Sequence, residues 1–116
     1  MNGPPPPVAF KILTAEQWDR WQAEGIFRGS PIDIDDGFIH LSAADQVAIT
    51  AAKHFAGQSG LVLAEVALPG LGDTVKWEPS RGGALFPHVY AAIPLSAVVS
   101  AAPMNGADYN PAKASG

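Results

Sequence analysis

Three stretches of this chain carry side chains that could move protons or hold a charged ligand. The first is Asp36-Gly37-Phe38-Ile39-His40-Leu41-Ser42-Ala43-Ala44-Asp45-Gln46, centred on His40. Imidazole exchanges a proton near neutral pH. A histidine where a strand gives way to a helix start also lies beside unpaired backbone donors, which favour anions. The second is Lys76-Trp77-Glu78-Pro79-Ser80-Arg81-Gly82-Gly83. It offers a stacking surface in Trp77, a carboxylate in Glu78, a guanidinium in Arg81 and open amides at Gly82 and Gly83. An arginine with a glycine pair can hold a phosphate or carboxylate through charge-assisted bonds and a backbone nest. The third is Phe86-Pro87-His88-Val89-Tyr90, where strand alternation puts His88 and Tyr90 on one face.

Each group has an ordinary reading. A lone strand histidine is more often hydrogen-bonded than catalytic, and Glu78 and Arg81 can pair across their own turn for little gain. What a plain connector does not explain is the concentration of aromatic, acidic, basic and double-glycine elements in one loop. The acids Asp33, Asp35 and Asp36 lack the calcium-loop pattern and its later glutamate, so they read as solvated turn residues. His40 and His88 with a carboxylate lack helical histidine spacing or a ligand motif, and no metal site is expected. No nucleophile-elbow pattern surrounds a serine.

The elements that must position these groups are legible in outline. Residues 1–8 hold four consecutive prolines and read as a disordered lead-in. Ala9 to Leu13 reads as a strand. Thr14 and Gln17 form a capping box for a helix that ends near Gly25, with Trp18 and Trp21 on its core face. Ile26 to Asp36 reads as a surface loop. Phe38 to Ser42 reads as a strand, with Phe38, His40 and Ser42 on one side. Ser42 is expected to cap a helix to about Ala56, with Asp45 completing the box and Ala44, Val47, Ala48, Ala51 and Phe55 as its buried stripe. Strands are expected at Leu61 to Ala67, Val75 to Glu78, His88 to Ile93 and Leu95 to Ala101, with a loop at Pro79 to Gly83. Residues 103–116 read as a loose tail. Two helices in the first half and most strands in the second make an α+β domain over residues 9–102.

Composition bounds the function. A chain of 116 residues is one ordinary domain, and 47% apolar content is that of a globular protein. Without cysteine there is no disulfide framework and no thiolate chemistry. No apolar run reaches the length of a membrane span and no signal-peptide pattern opens the chain, so a cytoplasmic protein is expected. A net charge of −4 with seven scattered Lys and Arg argues against binding long nucleic acid, and any phosphate contact has to be local.

With Gly25-Ile26-Phe27, Phe38-Ile39-His40-Leu41-Ser42, Lys53-His54-Phe55-Ala56-Gly57, Lys76-Trp77-Glu78 and Phe86-Pro87-His88-Val89-Tyr90, the chain resembles domain-of-unknown-function family 952 over roughly Phe10 to Val99. That resemblance implies a compact split β structure similar to the ADP-ribosyltransferase superfamily, with a cleft for a nicotinamide dinucleotide. The order of elements is also similar to that of RNA 2′-phosphotransferases. By that likeness His40 packs against the nicotinamide, and Lys11 stands where a His or Arg usually meets the dinucleotide. Glu78 is the candidate to orient a ribose hydroxyl.

The reading that follows is an ADP-ribosyltransferase-like transferase acting on NAD or an ADP-ribose or nucleotide-type ligand. Glu78 and His88 would be catalytic; Lys11, His40, Ser42, Trp77, Arg81, Gly82 and Gly83 would bind the ligand. The alternative is a non-catalytic module that keeps the cleft, favoured by Lys11 in place of the usual His or Arg. In either case His40, the Trp77 to Gly83 loop and His88 are expected to converge on one pocket.

Overall fold

The structure, a computed structural model, describes residues 7–80 and 83–104. Strand β1 (Val8–Thr14) leads into helix α1 (Ala15–Glu24) through the expected cap: Gln17 N donates to Thr14 Oγ1 at 3.1 Å and Thr14 N to Gln17 Oε1 at 2.9 Å. Gly25 ends the helix at φ 78°, which glycine adopts without steric cost. Trp21 is buried in the core, edge-on to Trp18 and stacked on Phe27 at 4.8 Å.

Ile26 to Asp36 is not a loop. It contains strand β2 (Ile26–Phe27) and helix α2 (Pro31–Asp36). Ser30 is the cap, Pro31 supplies a preset φ at the first helical position, and Asp33 reaches back to accept from Ser30 N at 2.8 Å. Gly37 closes α2 in the left-handed region at φ 88°. Strand β3 is correspondingly short, Ile39–His40. Ser42 does not cap the next helix: Gln46 Oε1 accepts from Ala43 N at 2.9 Å, a 3-10 turn follows over Ala44–Gln46, and α3 runs Val47–His54. The amide oxygen of Gln46 does the work assigned to Ser42 and Asp45. In the expected stripe Val47 and Ala51 are buried and Phe55 packs beside them, while Ala44 is exposed.

Strand β4 (Leu61–Ala67) and strand β5 (Val75–Pro79) fall where expected. His88 to Ile93 is not one strand: β6 (Leu85–Val89) ends before a turn at Tyr90, and β7 (Ile93–Pro94) pairs elsewhere. Leu95–Ala97 is a 3-10 turn before β8 (Val98–Met104), which carries regular structure into the expected tail.

The described strands form three antiparallel sheets, ordered β1-β4-β8, β2-β7 and β3-β6-β5. The first is covered on one face by α3, through Ile12, Val47, Ala51, Leu61 and Met104. Its other face joins the larger core, with Ala9, Leu13, Ala64 and Val66 against Trp21, Phe27, Leu41 and Val89. Lys11 lies between Ala9 and Leu13, so alternation sends it into that core. The chain after β3 ties the sheets together: Leu41 N donates to Pro87 O at 3.0 Å, and Phe10 and Ser42 exchange backbone bonds at 2.7 and 2.8 Å. The fold class is α+β.

Candidate functional site

Register decides what the β3-β6-β5 sheet presents. His40 lies opposite His88, and His88 opposite Lys76, while Glu78 lies opposite Phe86. Alternation then puts His40, His88, Lys76 and Glu78 on one face and Ile39, Val89 and Trp77 on the other. The aromatic rings follow that division. His40 and His88 meet edge to face, centroids 5.4 Å apart. Phe38 stacks on His88 at 4.1 Å and also touches His40 and Tyr90, at 4.6 and 5.2 Å.

Each imidazole is held by a carboxylate. His40 Nδ1 is 2.6 Å from Asp33 Oδ1, and His88 Nδ1 is 2.7 Å from Glu78 Oε1. A carboxylate can only accept, so each Nδ1 donates, which leaves Nε2 of His88 as the ring atom for proton exchange, whereas Nε2 of His40 is itself held by a second carboxylate. His40 Nε2 faces Asp36 Oδ2 at 3.0 Å. Tyr90 Oη donates to the same Glu78 oxygen at 2.7 Å. The bonds from His88 and then Tyr90 hold the Glu78 carboxyl below its ordinary range, and the bond to Glu78 pushes the Tyr90 phenol up.

Asp33 is not the solvated turn residue that the sequence suggests. It is 1% exposed, and its oxygens take bonds from Lys11 Nζ (2.9 and 3.2 Å), Ser30 N, His40 N and His40 Nδ1. Burial pushes its carboxyl up, but Lys11, His40 and Ser30 together outweigh that, and it lies below the usual value. Burial likewise drives the Lys11 ammonium down, against the pull of Asp33. Lys11 Nζ also donates to His40 O at 2.9 Å, so one cation fixes both the carboxylate and the strand it serves. The signal for Asp33 was present: Ser30-Pro31-x-Asp33 followed by Gly37 is a capped short helix, and three clustered acids drew attention from it.

The structure brings together Glu78, His88 and His40. Lys11 is buried behind His40 rather than open to a ligand. Ser42 is buried and shares a hydrogen bond with Thr50 Oγ1 at 2.9 Å, away from the imidazoles. Trp77 packs against the main core on the opposite face of the sheet from Glu78, so it is Phe38 and Tyr90 that supply aromatic surface beside the histidines. Gly83 is exposed, at φ 87°, and its N–H donates to Ser80 O. Arg81 and Gly82 lie outside the described residues. Among the described residues, no group of three potential ligands is placed to hold a metal ion, and no helix is long and apolar enough to cross a membrane.

The two carboxylate-held imidazoles share one sheet face, His40 part-exposed and His88 buried beneath the Phe38 ring, and carboxylate-held imidazoles are groups suited to general acid–base chemistry. They have the arrangement in which a carboxylate sets the tautomer and orientation of a proton-transferring histidine.

This architecture is shared with solved structures. The crystal structure of protein CC0527 from Caulobacter crescentus is 49% identical, with 84% of this chain and 86% of that chain covered at a TM-score of 0.81. Its solution NMR structure gives 48% identity, 86% of each chain and a TM-score of 0.77. No curated protein matches this chain. The family described as "Protein of unknown function (DUF952)" matches residues 12–101, and the chain belongs to that family.

Proposed function

We propose that this protein is a small enzyme that moves protons at a bound nucleotide-type ligand, with His88 as acid or base and Glu78 as the group that orients it. One observation carries the reading. Two histidines on neighbouring strands each place Nδ1 on a carboxylate, and both rings border one aromatic face. A buried structural histidine also needs one partner, but two carboxylate-held rings in edge contact are what a proton-transfer site with its tautomers fixed requires.

The ligand class rests on the likeness of the element order through Phe38-Ile39-His40-Leu41-Ser42 to that of RNA 2′-phosphotransferases. NAD or an ADP-ribose derivative is the ligand, with Phe38 and Tyr90 beside its flat ring in the place first given to Trp77. A transferase step would break the bond between ribose and nicotinamide, release nicotinamide, and join the ribose carbon to an acceptor hydroxyl oxygen whose proton passes to His88. A competing reading, a binding module without turnover, is favoured by Lys11 being committed to Asp33 rather than to a ligand.

The test is a thermal-shift screen with NAD, ADP-ribose and 2′-phosphorylated nucleotides, followed by an assay for nicotinamide release. A ligand at a hundred times its dissociation constant stabilises the fold by about 2.7 kcal/mol. Binding with turnover that His88→Gln abolishes supports the enzyme, and binding without turnover supports the module. No shift with any of the three ligands counts against both.

A further inference from the structure

The side chain of His88 is only 9% exposed. The Phe38 ring lies almost flat on it, with centroids 4.1 Å apart and planes 17° from parallel. A general base has to come within hydrogen-bond reach of the proton that it takes. With Phe38 seated, little of the imidazole is open to a ligand.

Phe38 is carried by the short turn between α2 and β3, and that turn is stapled across its base. Asp36 ends α2, and its Oδ2 lies 3.0 Å from Nε2 of His40, which ends β3. The two partners thus flank Phe38 along the chain. His40 Nδ1 is already bonded to Asp33. With carboxylate oxygens at both ring nitrogens, both nitrogens donate, and the staple is a charged pair. Beyond it, the Phe38 backbone is tied to α2 through its N–H to Asp33 O at 3.2 Å. A cavity of about 390 Å³, lined in part by Arg28, Gly37, Phe38 and Tyr90, gives the ring room to turn.

We propose that Phe38 is a lid over His88 and that the His40–Asp36 pair is its catch. The lid is closed in this structure. Opening parts Asp36 from His40 Nε2, lets the turn move toward the cavity, and uncovers the His88 ring for a ligand. Asp36 is 47% exposed, and exposed ion pairs are weak, which suits a catch that has to let go. The purpose of the lid rests on the acid–base role of His88, but its geometry does not.

Reaction of the protein with diethyl pyrocarbonate, mapped by mass spectrometry under single-hit conditions, reads the exposure of each histidine with no ligand present. His54 is exposed and serves as the internal reference. His88 should react many-fold more slowly than His54. Phe38→Ala should bring the two rates close together, and Phe38→Leu is the milder change should the alanine variant not fold. Asp36→Ala should speed reaction at His88 several-fold, with His54 and the thermal midpoint unchanged. Taking an acid from the last turn of a helix does not weaken that helix, so the gain would report the lost contact with His40. His88 as reactive as His54 in the parent protein, or unaffected by both changes at Phe38, overturns the proposal. So does a gain at His40 alone in Asp36→Ala, since the pair would then be a contact and not a catch. Nicotinamide release plays no part in these measurements, so the lid and the enzyme reading fail separately.

Discussion

Asp33 holds His40 twice through one oxygen, accepting from the backbone N–H at 3.1 Å and from ring Nδ1 at 2.6 Å. The strand's position and the ring's orientation are thus set by the same carboxylate. Asp33 itself is fixed by Lys11 from β1 and by Ser30 at the start of α2. Three separate elements meet at one buried acid, and the imidazole face rests on it.

Removing one member of that ion pair should be costly. Lys11→Met leaves the Asp33 charge buried without its cation, and urea denaturation should show a loss of roughly 3–5 kcal/mol. Lys11→Met combined with Asp33→Asn should recover part of that loss, since no uncompensated charge remains. A double variant as unstable as the sum of the single ones would mean that the two side chains act independently.

Acid should weaken the fold through Asp33. Its carboxyl lies below the ordinary value of 3.8 in the folded protein, so over the range between the two values the unfolded chain binds a proton that the native one does not. Stability rises with pH wherever the unfolded state binds more protons. The contribution is fully present above about pH 4 and is lost as pH falls through the folded-state value. Urea midpoints measured from pH 6 down to about pH 2 should fall, and the slope should be shallower in Asp33→Asn.

Glu78 should matter for chemistry more than for folding. It is only partly shielded, and its bonds to His88 and Tyr90 set a tautomer rather than fill a core. Glu78→Gln keeps the shape but can turn its amide N–H toward His88 Nδ1, which favours the wrong tautomer. Nicotinamide release should drop by roughly 10²- to 10⁴-fold, the range of one acid–base group, with thermal stability little changed. Nitrogen chemical shifts of His88 read the tautomer directly and do not depend on the substrate being right.

Ser42 and Trp77 should behave in the opposite way. Ser42→Ala removes the bond to Thr50 and should cost about 1 kcal/mol. Trp77→Leu empties part of the core and should cost roughly 1–3 kcal/mol. Neither should alter the thermal shift that a bound ligand produces, because neither side chain is on the imidazole face. A selective loss of ligand response in Trp77→Leu would restore the stacking role first given to it.

Much of this was legible along the chain, and what was not has a common cause. The Thr14–Gln17 box, Gly25 and the β4 run are local signals, and they fell in place. Ser42 was misjudged because its hydroxyl found Thr50 on α3, a partner that no local pattern reveals. Trp77 and Glu78 sit side by side in sequence, and only the register of β5 on β6 decides which of them faces the histidines. Asp33, read as solvated, was the largest misreading. A carboxylate becomes a buried keystone only when a lysine 22 residues earlier is folded onto it. The convergence of His40 with His88 and Glu78 needed the same long-range pairing, and there the shared strand face was a sound guide.

Gly29 has φ +121°, a conformation that L side chains rarely adopt, and a methyl group built on it would lie 2.9 Å from Asp33 Cβ. That neighbour cannot give way cheaply, because the Asp33 side chain is anchored by Lys11, Ser30 and His40. Gly29→Ala should therefore act in two ways. Backbone strain should cost on the order of 1–3 kcal/mol, and the displaced carboxylate should loosen His40. Gly37→Ala is the matched control, since Gly37 also has positive φ, at +88°, but open space beside it. Both variants should lose stability in urea, yet only Gly29→Ala should change the His40 ring resonances. Equal changes at His40 in both would place the effect in α2 as a whole rather than in the Asp33 contact.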